Sequence, residues 1–489
     1  MLTWRNYPRF DDLPLLTLLG VTVPLVAALW AAGHALLHKR DPRSALVWVS
    51  ISLTIPVFGA ISYWLLGINR ISRKAHQLHR RFHSARQPSS PLPSCSPQQP
   101  SARLPDRCDS LVKLEILTDR VVSTRTCAGN RVELLVNGEQ TYPAMLKAIR
   151  QATGSVHLCS YIFDGDQIGA AFVQELAAAA QRGVAVRVLV DSMGERYSKL
   201  TARKALQGSA VQVRHYLPLY KAPFINLRNH RKLLICDGKT SFTGGMNIRS
   251  NHCVTTADLS NATSDLHFQV SGPVVADLQR AFLDDWLFVT GEQVNDPSCF
   301  PVLAPCGDAL ARVIADGPDR EFRKLEWIIQ GALATAASRI RIMTPYFIPD
   351  RTMITSLITA ALRGIEITII LPQKNNLPFV AWASRASYWE LIKNGIAILE
   401  QPPPFAHSKL LLVDDLWCLV GSANLDTRSL RLNFELNLSI YDQALAEVLN
   451  THFDQTVDKS RQITLQEMDA RPLLIKLRDG AARLFSPYL

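Results

Sequence analysis

The chain has 489 residues, enough for two large core-bearing units or one duplicated unit; 47% are hydrophobic and 19% charged, a balance that leans toward membrane association. Lysine and arginine number 53 against 42 acidic residues, and the formal charge of +11 favours an anionic partner, either nucleic acid or acidic lipid headgroups. Nine cysteines, an odd number without regular spacing, argue against a disulfide framework and against a Cys/His zinc site.

From Leu13 to Leu37 the residues are almost wholly apolar, interrupted by Thr17, Thr22, Pro24 and His34, and from Ala45 to Gly67 they are apolar again. Each run exceeds the ~20 residues needed to cross a bilayer core. A cleaved signal fits the first run poorly, because it is long and a second follows within a few residues. The pattern predicts a transmembrane helical hairpin, with Trp48, Tyr63 and Trp64 as interfacial aromatics; a helix pair in a soluble core is the weaker alternative. Lys39, Arg40 and Arg43 lie between the runs. Arg70, Arg73, Lys74, Arg80, Arg81 and Arg86 follow the second, and Arg5 and Arg9 precede the first. Eight basic residues against three predict a multi-pass protein with both termini, and hence the catalytic portion, in the cytoplasm.

Residues 1–83 therefore form a membrane hairpin with a basic flank. Residues 84–109 turn to Ser, Pro and Gln, with prolines at 88, 91, 93, 97, 100 and 105, and read as an extended linker. The remainder is an internal duplication, with lobes expected at 110–300 and 301–489. Ser155-Val-His-Leu-Cys-Ser-Tyr161 corresponds to Ser338-Arg-Ile-Arg-Ile-Met-Thr-Pro-Tyr346. Each is followed by an amphipathic helix ending Ala-Ala-x-Arg-Gly, at Gly183 and Gly364, and then by a strand, 184–191 and 365–372. Strand, helix, glycine, strand is the sign of a βαβ unit, so two α/β lobes with helices on their faces are expected. Tyr161 and Tyr346, at strand ends, either line a pocket mouth or pack in the core. From Arg471 to the end, apolar and basic residues mix at helical spacing, which fits either a membrane-interface segment or a final helix on the second lobe.

Within each lobe one pattern recurs. The first copy is His230-Arg-Lys232-Leu-Leu-Ile-Cys-Asp237, running to Gly244-Gly245-Met-Asn247; the second is His407-Ser-Lys409-Leu-Leu-Leu-Val-Asp414, running to Gly421-Ser422-Ala-Asn424. In both, Lys follows His by two places, Asp by seven and Asn by seventeen. The apolar run between Lys and Asp reads as a buried strand entering a tight turn, so each His shares a face with its Lys. Asp237 and Asp414 belong to the recurring catalytic pattern, but their odd offset points them the other way, as turn-forming or ion-paired supports. Asn247 and Asn424 carry amide hydrogens for a phosphoryl oxygen. Gly245 stands where the second copy has Ser422, so a hydroxyl donor to phosphate in one half is replaced by backbone N–H in the other.

The two stretches resemble the paired signature motifs of the phospholipase D superfamily. Asn229-His-Arg-Lys232, Thr243-Gly-Gly-Met-Asn247, Thr344-Pro-Tyr-Phe-Ile-Pro-Asp350, Gly421-Ser-Ala-Asn-Leu-Asp-Thr-Arg-Ser429 and Asn433-Phe-Glu435 are similar to bacterial cardiolipin synthases. The resemblance runs from the apolar N-terminal segments to the C-terminus, except in the linker and in 250–264. It implies two pseudo-symmetric lobes forming one active site and a place in the bacterial inner membrane. It further implies transfer of a phosphatidyl group between anionic lipids, typically two phosphatidylglycerols giving cardiolipin and glycerol.

In-line displacement at phosphorus needs a nucleophile on one side and a proton donor on the other, which two imidazoles supply. One forms a phosphohistidine intermediate; the other protonates the leaving oxygen and then deprotonates the incoming hydroxyl. Lys232, Lys409, Asn247 and Asn424 would grip the non-bridging oxygens. No carboxylate cluster accompanies the motifs, so neither metal nor other cofactor is expected. The resemblance makes His230 the nucleophile and His407 the acid and base. Glu435 matches the family's acidic residue after the second motif, and Asp265 is its counterpart in the first half, at offsets of 28 and 35 from the preceding His. Each would fix an imidazole tautomer. The alternatives are a phospholipase D-type lipid hydrolase, a phosphodiesterase acting on nucleic acid, and a non-catalytic membrane scaffold. Two membrane spans and the lack of an aromatic-basic strand platform make a nucleic-acid partner unexpected.

Overall fold

A computed structural model describes residues 15–39, 41–68, 109–198, 200–216, 227–317 and 323–486. The linker, the basic flank from Arg70 to Arg86, and Arg5, Arg9 and Arg40 lie outside the described residues. The chain divides into two compact units, Met1–Gln77 and Leu78–Leu489.

In the first unit, helix Leu15–His38 is 24 residues long, and Thr17–His38 is the one stretch among the described residues long and apolar enough to cross a bilayer. The second apolar run is divided between two helices, so the expected two-span hairpin is matched by one candidate span. Asp41 caps helix Pro42–Thr54 by accepting hydrogen bonds from the Arg43 and Ser44 amides; Ile55 then leaves helical geometry (φ −129°, ψ 75°) ahead of Pro56. A proline disfavours the helical region for the residue before it, so a new helix begins, Pro56–Ser62, widening to a π-helical turn over Tyr63–Gly67. The two pieces fold back on each other. A Cβ built on Gly59 would lie 2.3 Å from the Ile51 carbonyl oxygen, and the Trp48 and Tyr63 rings are 5.4 Å apart. In one straight helix residues 48 and 63 would be about 22 Å apart. Tyr63 Oη also hydrogen-bonds His34 Nδ1 at 2.7 Å, near the end of the first helix. The folded-back pair thus finishes near where it began, and among the described residues one candidate span stands where two were expected.

The second unit is built on one long mixed sheet. Its first lobe contributes β1 (Cys127–Val136), β2 (Ser155–Ser160), β3 (Ala185–Asp191), β4 (Gln212–Tyr216), β5 (Leu233–Cys236), β6 (Thr240–Gly244) and β7 (Leu266–Ser271). The second lobe repeats the set as β8 (Ala309–Asp316), β9 (Arg339–Met343), β10 (Glu366–Pro372), β11 (Ala397–Gln401), β12 (Leu410–Val413), β13 (Trp417–Gly421) and β14 (Asn433–Tyr441). The strand order is β4-β3-β2-β5-β6-β7-β1 and then β8-β14-β13-β12-β9-β10-β11, the same sequence run outward from both sides of an antiparallel β1–β8 seam. Strands β2, β3 and β4 pair in parallel, as do β9, β10 and β11, each lobe having the expected βαβ unit. Gly183 and Gly364 end the crossover helices Gln167–Gln181 and Arg351–Leu362 at φ +91° and +88°, which a side chain would resist.

Helices Val275–Thr290 and Gln443–Val457 contribute Phe282, Trp286 and Phe453 to a core shared by both lobes. Separate cores lie under the crossover helices of each lobe. Helix Asp109–Val121, expected in the first lobe, belongs instead to the core of the second. Leu111 and Leu114 pack with Leu325 and Ile328, and Glu115 and Asp119 pair with Arg312 of β8. Its apolar face matches helix Lys324–Thr335, where Gly331 leaves room for Leu114. Cys127 is disulfide-bonded, which the irregular cysteine spacing did not announce; Cys159, Cys236 and Cys418 are buried thiols.

Candidate active site

Each histidine stands just before a motif strand, β5 or β12, on a short strand of its own that crosses to the other lobe. Arg228–Asn229 pairs in parallel with the start of β14, and the His230 amide donates to the Phe434 carbonyl at 2.9 Å. Phe405–Ala406 pairs in parallel with Thr263–Ser264, just ahead of β7, and the His407 amide donates to the Ser264 carbonyl at 2.8 Å. Asn229 is pinned further: its amide donates to Asp191 at 2.9 Å and its side chain to Asp285 at 3.2 Å.

The crossing exchanges the acids. His230 Nδ1 donates to Glu435 at 3.0 and 3.1 Å, and His407 Nδ1 donates to Asp265 at 2.7 Å. Each carboxylate therefore serves the other lobe's imidazole, not the one that precedes it in its own lobe. Backbone pairing dictates the swap, because each His docks beside the strand that carries the opposite acid.

The two shells differ. Glu435 also accepts from Ser422 Oγ at 2.5 Å and from Asn433 Nδ2 at 3.1 Å. Ser422 is wholly buried and its hydroxyl accepts from the Leu436 amide, so it positions Glu435 and does not face phosphate; this corrects its expected role. On the other side, a Cβ at Gly245 would come within 2.4 Å of Asp265 Oδ1, so the glycine makes room for the shorter acid, whose Oδ1 accepts from the Leu266 amide.

Both lysines are buried on the histidine side of their strands. Lys232 Nζ donates to the His230 carbonyl at 2.7 Å and lies 5.5 Å over the Tyr161 ring. Lys409 Nζ donates to the His407 carbonyl at 2.5 Å and lies 3.0 Å from His407 Nδ1. Burial pushes Lys232 down to about 7 against the pull of Glu435, and Lys409 down to about 8 against Asp265. His407 is lowered to about 3 by burial and then by the Lys409 charge; burial lowers His230 too, with Glu435 opposing. Burial would raise Asp265, but Lys409 and His407 outweigh it and hold the carboxyl at about 2. Glu435 is likewise lowered, burial losing to the charge and hydrogen bond of His230. Burial thus lowers the proton affinity of all four basic groups, while the charges beside them keep both carboxyls low.

Asp237 and Asp414, grouped with the catalytic pattern in the sequence, sit in the turns at the far ends of β5 and β12, with φ of +53° and +52°. Asp237 accepts from the Thr153, Gly154 and Ser155 amides, and Asp414 from those of Ala337, Ser338 and Arg339. They tie each motif hairpin to the start of β2 or β9 and stay out of the cavity.

His230, His407, Asn247 and Asn424 all line one cavity of about 780 Å³. Asn247 Oδ1 accepts from the Ile162 amide at 3.1 Å, and Asn424 Nδ2 donates to Ser429 Oγ at 3.1 Å, leaving Asn424 Oδ1 without a hydrogen-bond partner among the described residues. Tyr161 and Tyr346 line the cavity as well, their rings 5.2 and 6.4 Å from His230 and His407. Sequence reasoning missed Arg228, Arg249, Arg428 and His252, which share this wall. Arg228 and Phe405 each precede a catalytic-motif His by two places, so strand alternation was a usable signal for them. His252, lowered to about 4 by burial, lies in the 250–264 stretch where the resemblance is poor, and nothing in the sequence marked it. Among the described residues no group of three or more His, Cys, Asp or Glu side chains is arranged to hold a metal ion.

The family model described as cardiolipin synthase, phospholipase D-like domain, matches residues 145–286 and 329–457, one segment in each lobe. A phospholipase D-nuclease N-terminal model matches 26–67. The chain is 32% identical to a cardiolipin synthase of Oceanobacillus iheyensis, covering 96% of this chain and 99% of that one. It is 31% identical to the major cardiolipin synthase of Bacillus subtilis, covering 92% and 95%. In fold it is similar to the crystal structure of a phosphatidylserine synthase from Haemophilus influenzae, with a TM-score of 0.62 at 15% identity, over 77% of this chain and 100% of that one. The duplicated lobes, the paired motifs and these likenesses converge: the chain is an enzyme and belongs to the cardiolipin synthase family of the phospholipase D superfamily.

Proposed function

We propose that the enzyme transfers the phosphatidyl group of one phosphatidylglycerol to the terminal hydroxyl of another, forming cardiolipin and releasing glycerol. The observation that carries this reading is the pair of histidines from opposite lobes lining one cavity, each with its Nδ1 hydrogen held by a carboxylate. That leaves Nε2 of His230 as the nucleophile. It attacks phosphorus, the P–O bond to glycerol breaks, and His407 delivers its proton to the departing oxygen. The acceptor hydroxyl then gives its proton to neutral His407 while its oxygen attacks phosphorus, breaking the P–N bond and restoring His230.

The depressed bases explain when protons arrive. Basic groups crowded out of water bind protons poorly, and a phosphodiester anion placed beside the lysines and His407 raises them toward protonation, while His230 must stay neutral at Nε2 to attack. Substrate binding thus holds the lysines in the charged form that grips the non-bridging oxygens and favours uptake from solvent of the proton that His407 donates. Asn247 and Asn424 add amide donors.

The apolar first helix and the N-terminal family match support membrane association. With one crossing, Lys39, Arg40, Arg43 and the six basic residues of 70–86 fall on the side where the chain continues, against Arg5 and Arg9 on the other. The positive-inside rule makes that side cytoplasmic and puts the N-terminus outside.

The test is mass spectrometry of vesicles of phosphatidylglycerol incubated with the enzyme. Equimolar cardiolipin and glycerol are expected, absent in His230→Ala and His407→Ala. Phosphatidic acid in place of cardiolipin would mean that water is the acceptor, and the transfer reading would fall.

A further inference from the structure

The C-terminal helix Leu473–Arg483 packs against helix Pro378–Lys393 in an unusual sense. Its inward face is polar. Asp479 is buried and accepts from Arg471 at 2.9 Å and Arg478 at 2.7 Å, and the Arg478 guanidinium lies 4.5 Å over the Trp382 ring. Ala482 completes that face. Its outward face is apolar: Leu473, Leu474, Leu477 and Leu484 are 70, 79, 59 and 79% exposed. Positions 473, 477 and 484 recur at helical spacing, so they form one stripe. Lys476 and Arg483, also exposed, flank it.

The stripe does not end at the helix. Phe485, just beyond it, stacks edge-on against Phe379 at 5.5 Å, and both are exposed. Leu377, two residues before Phe379, is half exposed and lines the catalytic cavity together with Val380 and Ile348. An apolar track therefore leads from the outer face of the helix to the wall of the active site. A contiguous exposed apolar surface of this kind is a docking site, and basic residues beside leucines select an anionic lipid surface over a neutral protein groove.

We propose that the outward face of helix Leu473–Arg483, continued by Phe485, Phe379 and Leu377, is the surface that seats the catalytic unit on the bilayer. It dips into the acyl boundary of anionic phospholipid and gives a lipid tail an unbroken apolar path to the cavity. The proposal rests on the lipid reading of the cavity, and it also accounts for the outward leucines: the helix docks through Arg478 on the Trp382 ring and through Ala482 beside Val380 and Ala383, which leaves its apolar side free for lipid.

The full-length enzyme in phosphatidylcholine vesicles containing phosphatidylglycerol tests it by two readouts. Leu474→Ser combined with Leu477→Ser lowers kcat/KM on long-chain vesicle substrate about tenfold, the scale of two leucine side chains losing part of their burial. Turnover of dihexanoyl phosphatidylglycerol, added as monomers, stays at the parental rate. Equal rates on both substrates, or equal losses on both, overturn the proposal. Independently, a bimane label at Leu477→Cys is quenched by doxyl-bearing lipid and shielded from iodide; the reverse pattern overturns the proposal whatever the reaction. Failure of the parent to make cardiolipin from either substrate would count against the proposed reaction alone, leaving the quenching result to decide the docking.

Discussion

The two lobes share strand order and hairpin geometry down to the aspartates that tie β5 to β2 and β12 to β9, yet their histidines sit in different surroundings. His230 faces a glutamate that also takes hydrogen bonds from Ser422 and Asn433. His407 faces an aspartate packed against a glycine, with Lys409 beside the ring and His252 6.3 Å away. A duplicated fold thus keeps its scaffold alike while its chemistry diverges: backbone pairing fixes where the imidazoles stand, and the side chains around each acid tune what they do.

Removing either histidine should have the largest effect and breaks the comparison open. Loss of cardiolipin formation by about 10⁴-fold or more is expected for both His230→Ala and His407→Ala. With donor lipid carrying radioactive phosphate, His407→Ala, slowed in both steps, should still gather acid-labile, base-stable label on the protein over long incubation, and His230→Ala should gather none. Label in His230→Ala instead would reverse the assignment of roles.

Next come the exchanged acids. Glu435→Gln and Asp265→Asn should each cost about 10³-fold in kcat, because the amide carries no charge to stabilise the imidazolium and turns its NH2 toward Nδ1, which selects the wrong tautomer. Glu435→Gln should also lower thermal stability more, since the amide must face two further donors, a mismatch of about 1–3 kcal/mol. Equal melting temperatures in the two variants would erase the difference between the shells.

Charge sharpens the picture at smaller scale. Lys232 and Lys409, lowered to about 7 and about 8, are protonated in the empty site below those values and lose their protons above them. Affinity for an unreactive phosphodiester should therefore fall as pH rises from about 7 to about 9, by roughly tenfold per unit where one lysine must regain its proton to bind. Calorimetric titration across that range, with proton uptake read from buffers of different ionisation heat, checks it; a flat profile would mean that both ammoniums stay charged.

Swapping the supporting residues should matter less. Ser422→Ala should cut kcat about tenfold and Gly245→Ser by a similar factor, the first by freeing Glu435 and the second by pushing Asp265 away. Smallest for catalysis should be Asp237→Asn and Asp414→Asn. Each turns one accepting carboxylate oxygen, the one facing Thr153 or Ala337, into an amide donor and removes the charge that the other amides face, lowering stability by about 1–3 kcal/mol in denaturant titrations, with kcat of the folded fraction unchanged.

Much of this could be read from the residues. The repeat of His, Lys, Asp and Asn at equal spacing located both motif hairpins, and alternation along the strand placed each Lys with its His and each Asp away from it. Partners set by the third dimension were hidden. Nothing in the offsets of Asp265 and Glu435 says that each serves the opposite lobe, because the deciding contacts join Asn229 to Phe434 and Ala406 to Ser264. Helix Asp109–Val121 was given to the nearer lobe, although its leucines match the apolar face of Lys324–Thr335. The break at Ile55 was legible in principle, since Pro56 stands in the middle of the apolar run, but hydropathy alone passes over it. The inverted C-terminal helix shows the limit of periodicity: the spacing of its leucines reveals a stripe without saying which way it faces.

The crossed carboxylates say something about origin. Two identical copies of one half, meeting across a twofold axis, would trade acids in this same manner, as any isologous dimer must. Joining such copies head to tail would leave every contact where it was, while freeing each to mutate alone. Gly245 opposite Ser422, and Asp265 opposite Glu435, are where one continuous chain departs from the twofold likeness that a symmetric pair would have to keep.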